Sequence, residues 1–125
     1  MKHIVSAMLV IVAIIHLLPV PGVLGRERLE ALYGVAIADR NLAILMRHRA
    51  VLFGVLGVFF LVAAFRPQLH VPAFVVGFAS VLSFLWLAWS AGGYNTQVAK
   101  VFSADLMALV CLVIALVATA IQRSP

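Results

Sequence analysis

The sequence predicts an all-α integral membrane protein, with four transmembrane helices packed as one domain over residues 1–125. Hydrophobic residues occupy 66% of the 125 positions, and only 10% of the residues are charged. A soluble domain of this size could not bury so much apolar surface, so the bilayer must solvate most of the chain. The spans must be helices, because an open sheet would leave backbone groups without partners in lipid.

The first apolar segment covers about residues 4–18 and ends at Pro19 and Pro21, because proline cannot continue a helix. No small-residue cleavage site follows it, so we expect an uncleaved first span rather than a signal peptide. A short amphipathic helix is predicted next, from Arg26 to a C-cap at Gly34. Its apolar side would lie on the membrane or plug the mouth of the bundle.

Three further apolar segments complete the bundle. Asp39 is the expected N-cap of a long helix over residues 40–65, which ends before a proline. The third segment begins after a proline and covers about residues 73–90, and the fourth covers about residues 103–121. Short connections make consecutive helices antiparallel neighbours, and small residues along these segments favour close packing.

Charge and cysteine content exclude several functions. Nine Lys and Arg against four Asp and Glu give a net charge of +5. These cations are scattered over segment ends, as is usual beside membrane spans, so we expect no nucleic-acid binding. The one cysteine, Cys111, lies within an apolar segment and is expected to be a packing residue. It excludes CxxC chemistry, and no zinc spacing or other cofactor motif is present.

Polar residues that could carry chemistry are concentrated at one end of the predicted bundle. We call it end A: the first and third segments finish there, and the second and fourth begin there. The opposite end is end B. End A holds His16, Arg47, His48, Arg49, Ser90, Tyr94, Asn95 and Asp105, whereas end B holds Lys2, His3, Arg66, His70 and Arg123. Any functional site is therefore expected at end A.

Arg47 and Asp105 are the predicted charged pair at end A. Helical spacing puts Arg47 on one face with Ala50 and Gly54, small residues that should pack inward. A charge there requires a counter-ion, and Asp105 is the only acid within a predicted apolar segment. In the alternative interpretation, Arg47 extends to the lipid headgroups and Asp105 is a first-turn carboxylate favoured by the helix dipole.

The histidines and aromatic residues at end A allow a structural and a functional interpretation. His16 is either a hydrogen-bonded packing residue or a ligand contact inside the bundle. Paired with His48, it could also serve as an axial haem ligand. Trp86, Trp89 and Tyr94 form either an interfacial aromatic belt or the wall of a site for a flat or lipidic ligand.

Several catalytic motifs are absent from the sequence. It contains no GxGxxG, no P-loop, no HExxH, no serine elbow and no carboxylate pair suited to acid–base catalysis. We therefore assign no catalytic residue.

Residues 32–34 (Leu-Tyr-Gly), 39–41 (Asp-Arg-Asn) and 45–50 (Leu-Met-Arg-His-Arg-Ala) precede a helix punctuated by glycine. Over nearly its full length the chain resembles small bacterial four-helix membrane proteins of unknown function with DoxX-like architecture. The resemblance implies a multi-pass protein of the bacterial inner (cytoplasmic) membrane. Such proteins are often described as phosphopantetheine adenylyltransferases, which have a soluble nucleotide-binding fold and a His-x-Gly-His motif. This chain has neither, so that activity is not expected.

Two classes of function remain open. The first is a non-catalytic accessory subunit, or a binder of a lipid or anionic amphiphile at end A. Its site would comprise His16, Arg47, Trp86, Trp89, Tyr94 and Asp105. The second is a small oligomeric transporter, although the first span lacks the acid that proton coupling needs. An enzyme acting on a lipid headgroup is a weaker alternative. The expected partners are the bilayer, a bound amphiphile, and a second copy or a membrane-complex subunit.

Basic residues give a prediction of orientation. End A carries six Lys and Arg residues (Arg26, Arg28, Arg40, Arg47, Arg49 and Lys100) and end B carries three. The positive-inside rule therefore places end A in the cytoplasm. The lysine that precedes the first span favours the opposite orientation.

Overall fold

The computed structural model describes residues 2–123, and those residues form five α-helices joined by short turns. The helices are α1 (Lys2–Leu17), α2 (Arg26–Tyr33), α3 (Arg40–Ala64), α4 (His70–Ala91) and α5 (Thr96–Arg123), and 3-10 turns cover Val20–Leu24 and Pro67–Leu69. The all-α bundle is confirmed.

Four of the segments are long and apolar enough to cross a membrane: Lys2–Leu24, Arg40–Ala64, Pro67–Ala91 and Thr96–Arg123. Large apolar side chains such as Val55, Val75 and Val110 are exposed on their outer faces. A protein in water would not present such surfaces over the whole length of its helices. The chain is therefore a multi-pass membrane protein.

Helix α1 lies at the centre of the packing. It packs extensively against α3 and α5, and α4 packs mainly on α5. Leu9, Phe60 and Leu112, from three different helices, are completely buried in the shared core. The contact between α3 and α4 is much smaller, although these two helices are consecutive in the sequence. Consecutive helices are thus not always close neighbours here.

Glycine permits the closest helix approaches. A Cβ on Gly57 of α3 would lie 2.6 Å from Cγ of Leu17 and 3.2 Å from the carbonyl oxygen of Ala13, both on α1. A Cβ on Gly77 of α4 would lie 2.9 Å from Leu112 of α5. Small residues at such positions let membrane helices gain van der Waals contact.

Helix termini confirm some predictions and correct others. The Asp39 carboxylate accepts a bond from the Asn41 amide at 3.0 Å, and Gly34 caps α2 at φ 65°. However, α4 begins at His70, because Pro72 is tolerated in the first turn of a helix. Helix α5 begins at Thr96 rather than near residue 103, so it includes a polar first turn that hydropathy leaves out.

Candidate functional site

Helix α2 covers the mouth of the bundle at end A. Leu29 and Tyr33 on this helix are buried and form a small core with Ile37. The Glu30 carboxylate accepts a bond from the Ile37 amide at 2.9 Å, which holds the segment after the helix. The prediction of a helix that plugs the mouth is confirmed, and the alternative of a helix lying on the membrane is not.

Asn95 ties α2 to the beginning of α5. Its Oδ1 accepts a bond from the Val98 amide at 2.8 Å, and its Nδ2 donates to the Tyr33 carbonyl at 2.8 Å and the Gly34 carbonyl at 3.2 Å. One side chain therefore caps α5 and binds the C-terminus of α2. The sequence places Asn95 at end A but does not predict these bonds.

A cavity of about 330 Å³, which we call the mouth cavity, lies beneath α2. Residues of α1, α2, α3, α5 and the first 3-10 turn region surround it. They are Ile15, Leu18, Pro19, Ala31, Leu32, Tyr33, Arg49, Phe53, Gln97, Lys100, Val101, Ala104 and Asp105. Most of this lining is apolar, and five side chains supply polar groups.

Arg49 is the central charged residue of the mouth cavity. Its Nη1 donates to the hydroxyl of Tyr33. Its guanidinium carbon lies 5.1 Å from the ring centroid of Tyr33 and 4.6 Å from that of Phe53. Contacts of this kind contribute about 0.5–2 kcal/mol each, depending on desolvation. They fix the guanidinium at the cavity wall.

Asp105 lines the same cavity and is only 7% exposed. Arg49 and Asp105 therefore bring opposite charges into the same cavity. Because α5 begins at Thr96, Asp105 lies in the third turn of the helix. The interpretation of Asp105 as a first-turn carboxylate is therefore wrong, since the helix dipole acts mainly within the first turn.

The chain matches no protein-family model, no curated protein and no solved structure. The arrangement of side chains in the mouth cavity is therefore the basis for inferring a function. Within residues 2–123, no group of three or more His, Cys, Asp or Glu side chains is placed to hold a metal ion.

The structure excludes Arg47 from the site that the sequence predicted. Its side chain is exposed and its Nε donates to the carbonyl of Val23 at 2.9 Å. It does not line the mouth cavity, so Arg49, not Arg47, shares the cavity wall with Asp105.

The rotation of α3 explains this difference. The inward face of the helix runs through Phe53, Gly57, Phe60 and Ala64, and Arg49 precedes Phe53 by one turn. Of the two small residues on the inward face predicted from the sequence, Ala50 is buried but Gly54 is only half-buried.

His16 lies in the core next to the mouth cavity but does not line it. It is 1% exposed, and its Nδ1 lies 2.9 Å from the Val12 carbonyl. A carbonyl only accepts, so Nδ1 is the donor, and in a neutral ring Nε2 accepts from the Ser80 hydroxyl at 2.9 Å. The ring also packs 4.8 Å from that of Phe60. The structure thus gives His16 a role in joining α1 to α4.

The aromatic residues separate into two groups. Trp86 and Trp89 are 64% and 69% exposed on the outer face of α4, with ring centroids 6.0 Å apart. They do not line the mouth cavity, and their placement fits an interfacial belt. Tyr94 stacks on Phe102 at 5.5 Å. It lines a neighbouring groove of about 420 Å³ that also contains Arg49.

Four polar residues of the site were not predicted as site residues. Arg49 and Lys100 stood out only as charges at end A. Tyr33 lies in the predicted amphipathic helix without a site role, and Gln97 lies in a segment not expected to be helical. The one-turn spacing between Arg49 and Phe53 could have indicated Arg49 as a site residue, but only if the inward face of α3 had been known.

Proposed function

We propose that the protein is a non-catalytic binder of an amphiphile with an acidic head, held in the mouth cavity at end A. The observation that supports this proposal is the composition of the cavity wall. Arg49 and Lys100 supply two positive charges against the one carboxylate of Asp105, and apolar side chains form most of the remainder. Ligand sites typically combine an apolar wall with a few oriented polar groups.

Arg49 is suited to bind the acidic head. The hydroxyl of Tyr33 and the ring of Phe53 orient its guanidinium before a ligand arrives. A guanidinium presents a planar set of donors that matches a carboxylate or phosphate. An ordered donor also loses less conformational entropy on binding. Lys100 is exposed at the rim, where it would attract the same charge.

The apolar part of the ligand would contact the rest of the wall. Ile15 of α1, Leu18 just after it, Leu32 of α2 and Val101 of α5 line the cavity. Its volume of about 330 Å³ lies at the lower end of the range of small-molecule sites, about 300–1,000 Å³. A headgroup with the first part of an acyl chain is the appropriate size class.

The cellular setting is also a proposal. The sequence resemblance to DoxX-like bacterial proteins supports a location in the bacterial cytoplasmic membrane and an accessory role in a membrane complex. An accessory protein that binds an amphiphile needs no catalytic group.

Mass spectrometry of the native protein, purified in mild detergent, tests the proposal. We expect an acidic lipid to remain bound, and added phosphatidylglycerol to bind more tightly than phosphatidylcholine with the same chains. Arg49→Gln should weaken phosphatidylglycerol binding by roughly 10- to 100-fold, because a hydrogen bond to a charged group contributes about 1.5–3 kcal/mol. Arg49→Lys should retain part of the affinity.

Arg47→Gln is the matched control, because Arg47 has the same charge on the same helix but lies outside the cavity. It should leave lipid affinity nearly unchanged. Equal affinity for the two lipids, or equal losses in the Arg47 and Arg49 variants, would contradict the proposal.

A further inference from the structure

A groove on the membrane-facing side of the bundle separates α3 from α4. It has a volume of about 340 Å³, and its apolar walls are Leu52 and Leu56 on α3 and Phe84 and Leu87 on α4. The groove exists because α4 packs on α5 and α3 on α1, which leaves little contact between α3 and α4. We call it the α3–α4 groove.

The polar groups of the α3–α4 groove already have partners. The Ser83 hydroxyl donates to the Ser80 carbonyl at 3.0 Å, and the Ser80 hydroxyl is bonded to His16. Neither serine therefore needs a polar ligand. From Ser80 to Leu87 the groove follows α4 for about 10 Å, at 1.5 Å per residue. An apolar groove of this length, with its serine hydroxyls already hydrogen-bonded, fits a hydrocarbon chain.

Arg49 and Phe53 line both the mouth cavity and the α3–α4 groove. The guanidinium of Arg49 lies 4.6 Å from the centroid of the Phe53 ring, so this pair forms the partition between the two spaces. The groove opens to lipid and has a cation at one end. It is therefore complementary to an acidic lipid whose head binds the cation and whose chain lies in the groove.

We infer that the ligand is an acidic membrane lipid which reaches Arg49 sideways from the bilayer, with one acyl chain in the α3–α4 groove. This inference rests on the proposed function and adds the position of the chain. Arg49, which lines both spaces, binds the head, and the Phe53 ring lies between the acyl chain in the groove and the part of the ligand in the mouth cavity. A water-soluble acidic ligand would need the mouth cavity alone.

A substitution that fills the groove tests the inference. Ser83→Trp places a large side chain in the α3–α4 groove without altering the mouth cavity. Leu82→Trp is the matched control, because Leu82 is exposed on α4 but does not line the groove. Binding is measured by native mass spectrometry with dioleoyl phosphatidylglycerol and with its dihexanoyl counterpart, whose short chains do not need the groove.

Ser83→Trp should weaken binding of the dioleoyl lipid roughly tenfold, because the displaced chain loses its packing contacts. It should leave the dihexanoyl lipid unaffected, and Leu82→Trp should change neither. If Ser83→Trp binds the dioleoyl lipid normally while Arg49→Gln does not, the position of the chain is wrong and the proposed function stands. If Arg49→Gln also binds normally, both are wrong. Loss of both lipids in Ser83→Trp would likewise overturn the assigned chain position.

A second measurement uses the unmodified protein. Phosphatidylglycerol with a photoreactive group midway along one acyl chain should label residues 52–56 and 80–87 in preference to the outer face of α5. Uniform labelling of all outward faces would overturn the inference.

Discussion

The hydrogen bond between His16 and Ser80 provides the sharpest test of how the core beside the site is held. It joins the buried ring of His16 on α1 to the half-buried Ser80 on α4 at 2.9 Å. Hydrogen bonds between membrane helices contribute about 0.6 kcal/mol on average and up to about 1.7. Because the ring is 1% exposed, we expect a value in the upper part of that range.

A double-mutant cycle isolates this bond. His16→Leu keeps an apolar side chain of moderate size in the core, and Ser80→Ala removes only the hydroxyl. Each single change should lower the free energy of unfolding, and the double change should cost less than the sum by about 0.6–1.7 kcal/mol. The measurement is reversible unfolding in mixed detergent micelles.

The same variants test the ligand role that the sequence suggested for His16. Since His16 does not line the mouth cavity, His16→Leu should change stability but leave the affinity for phosphatidylglycerol unaltered. Additive single and double changes would refute the hydrogen-bond reasoning. A loss of lipid as large as that of Arg49→Gln would show that His16 contacts the ligand.

Three further predictions concern packing, capping and orientation. Gly57→Ala should destabilise the protein by about 1–3 kcal/mol through overpacking against Leu17. Gly54→Ala should have little effect, because its Cβ would meet only a Val20 methyl group at 3.3 Å. A lower melting temperature in detergent for Gly54→Ala than for Gly57→Ala would contradict this. Asn95→Ala should cost about 1–2 kcal/mol as a lost N-cap and speed hydrogen exchange in α2; unchanged exchange would show that Asn95 does not hold this helix. A C-terminal reporter enzyme that works only outside the cytoplasm should be active, because the positive-inside rule places end A in the cytoplasm and the C-terminal end of α5 on the other side. Activity of a C-terminal reporter that works only in the cytoplasm would show the opposite orientation.

The sequence was sufficient for features that depend on local rules. Apolar segments predicted the four spans, and side-chain and backbone preferences predicted that Asp39 caps α3 and that Gly34 ends α2. The beginning of α5 was missed because a polar first turn lies outside the hydropathy signal, although Asn95 is a good N-cap. End A was identified because polar residues are costly in lipid wherever they lack partners.

The choice between Arg47 and Arg49 could not be made from the sequence. Both are basic residues on α3, and which of them turns inward depends on the rotation of the helix. Contacts far along the chain, such as that of Gly57 with Leu17, fix this rotation. The partner of His16 was equally hidden, because Ser80 is 64 residues away.

The position of α5 has a consequence for biosynthesis. This last helix of the described chain packs against both α1 and α4 and carries Asp105 and Lys100 into the mouth cavity. During translation α1 can pack against α3 as soon as α3 is inserted. Helix α4 has little contact with α3, so its main helix contact can form only after α5 is inserted. The mouth cavity is therefore complete only when α5 has been inserted, and a ribosome that stalls before Thr96 would release three spans that lack Asp105 and Lys100.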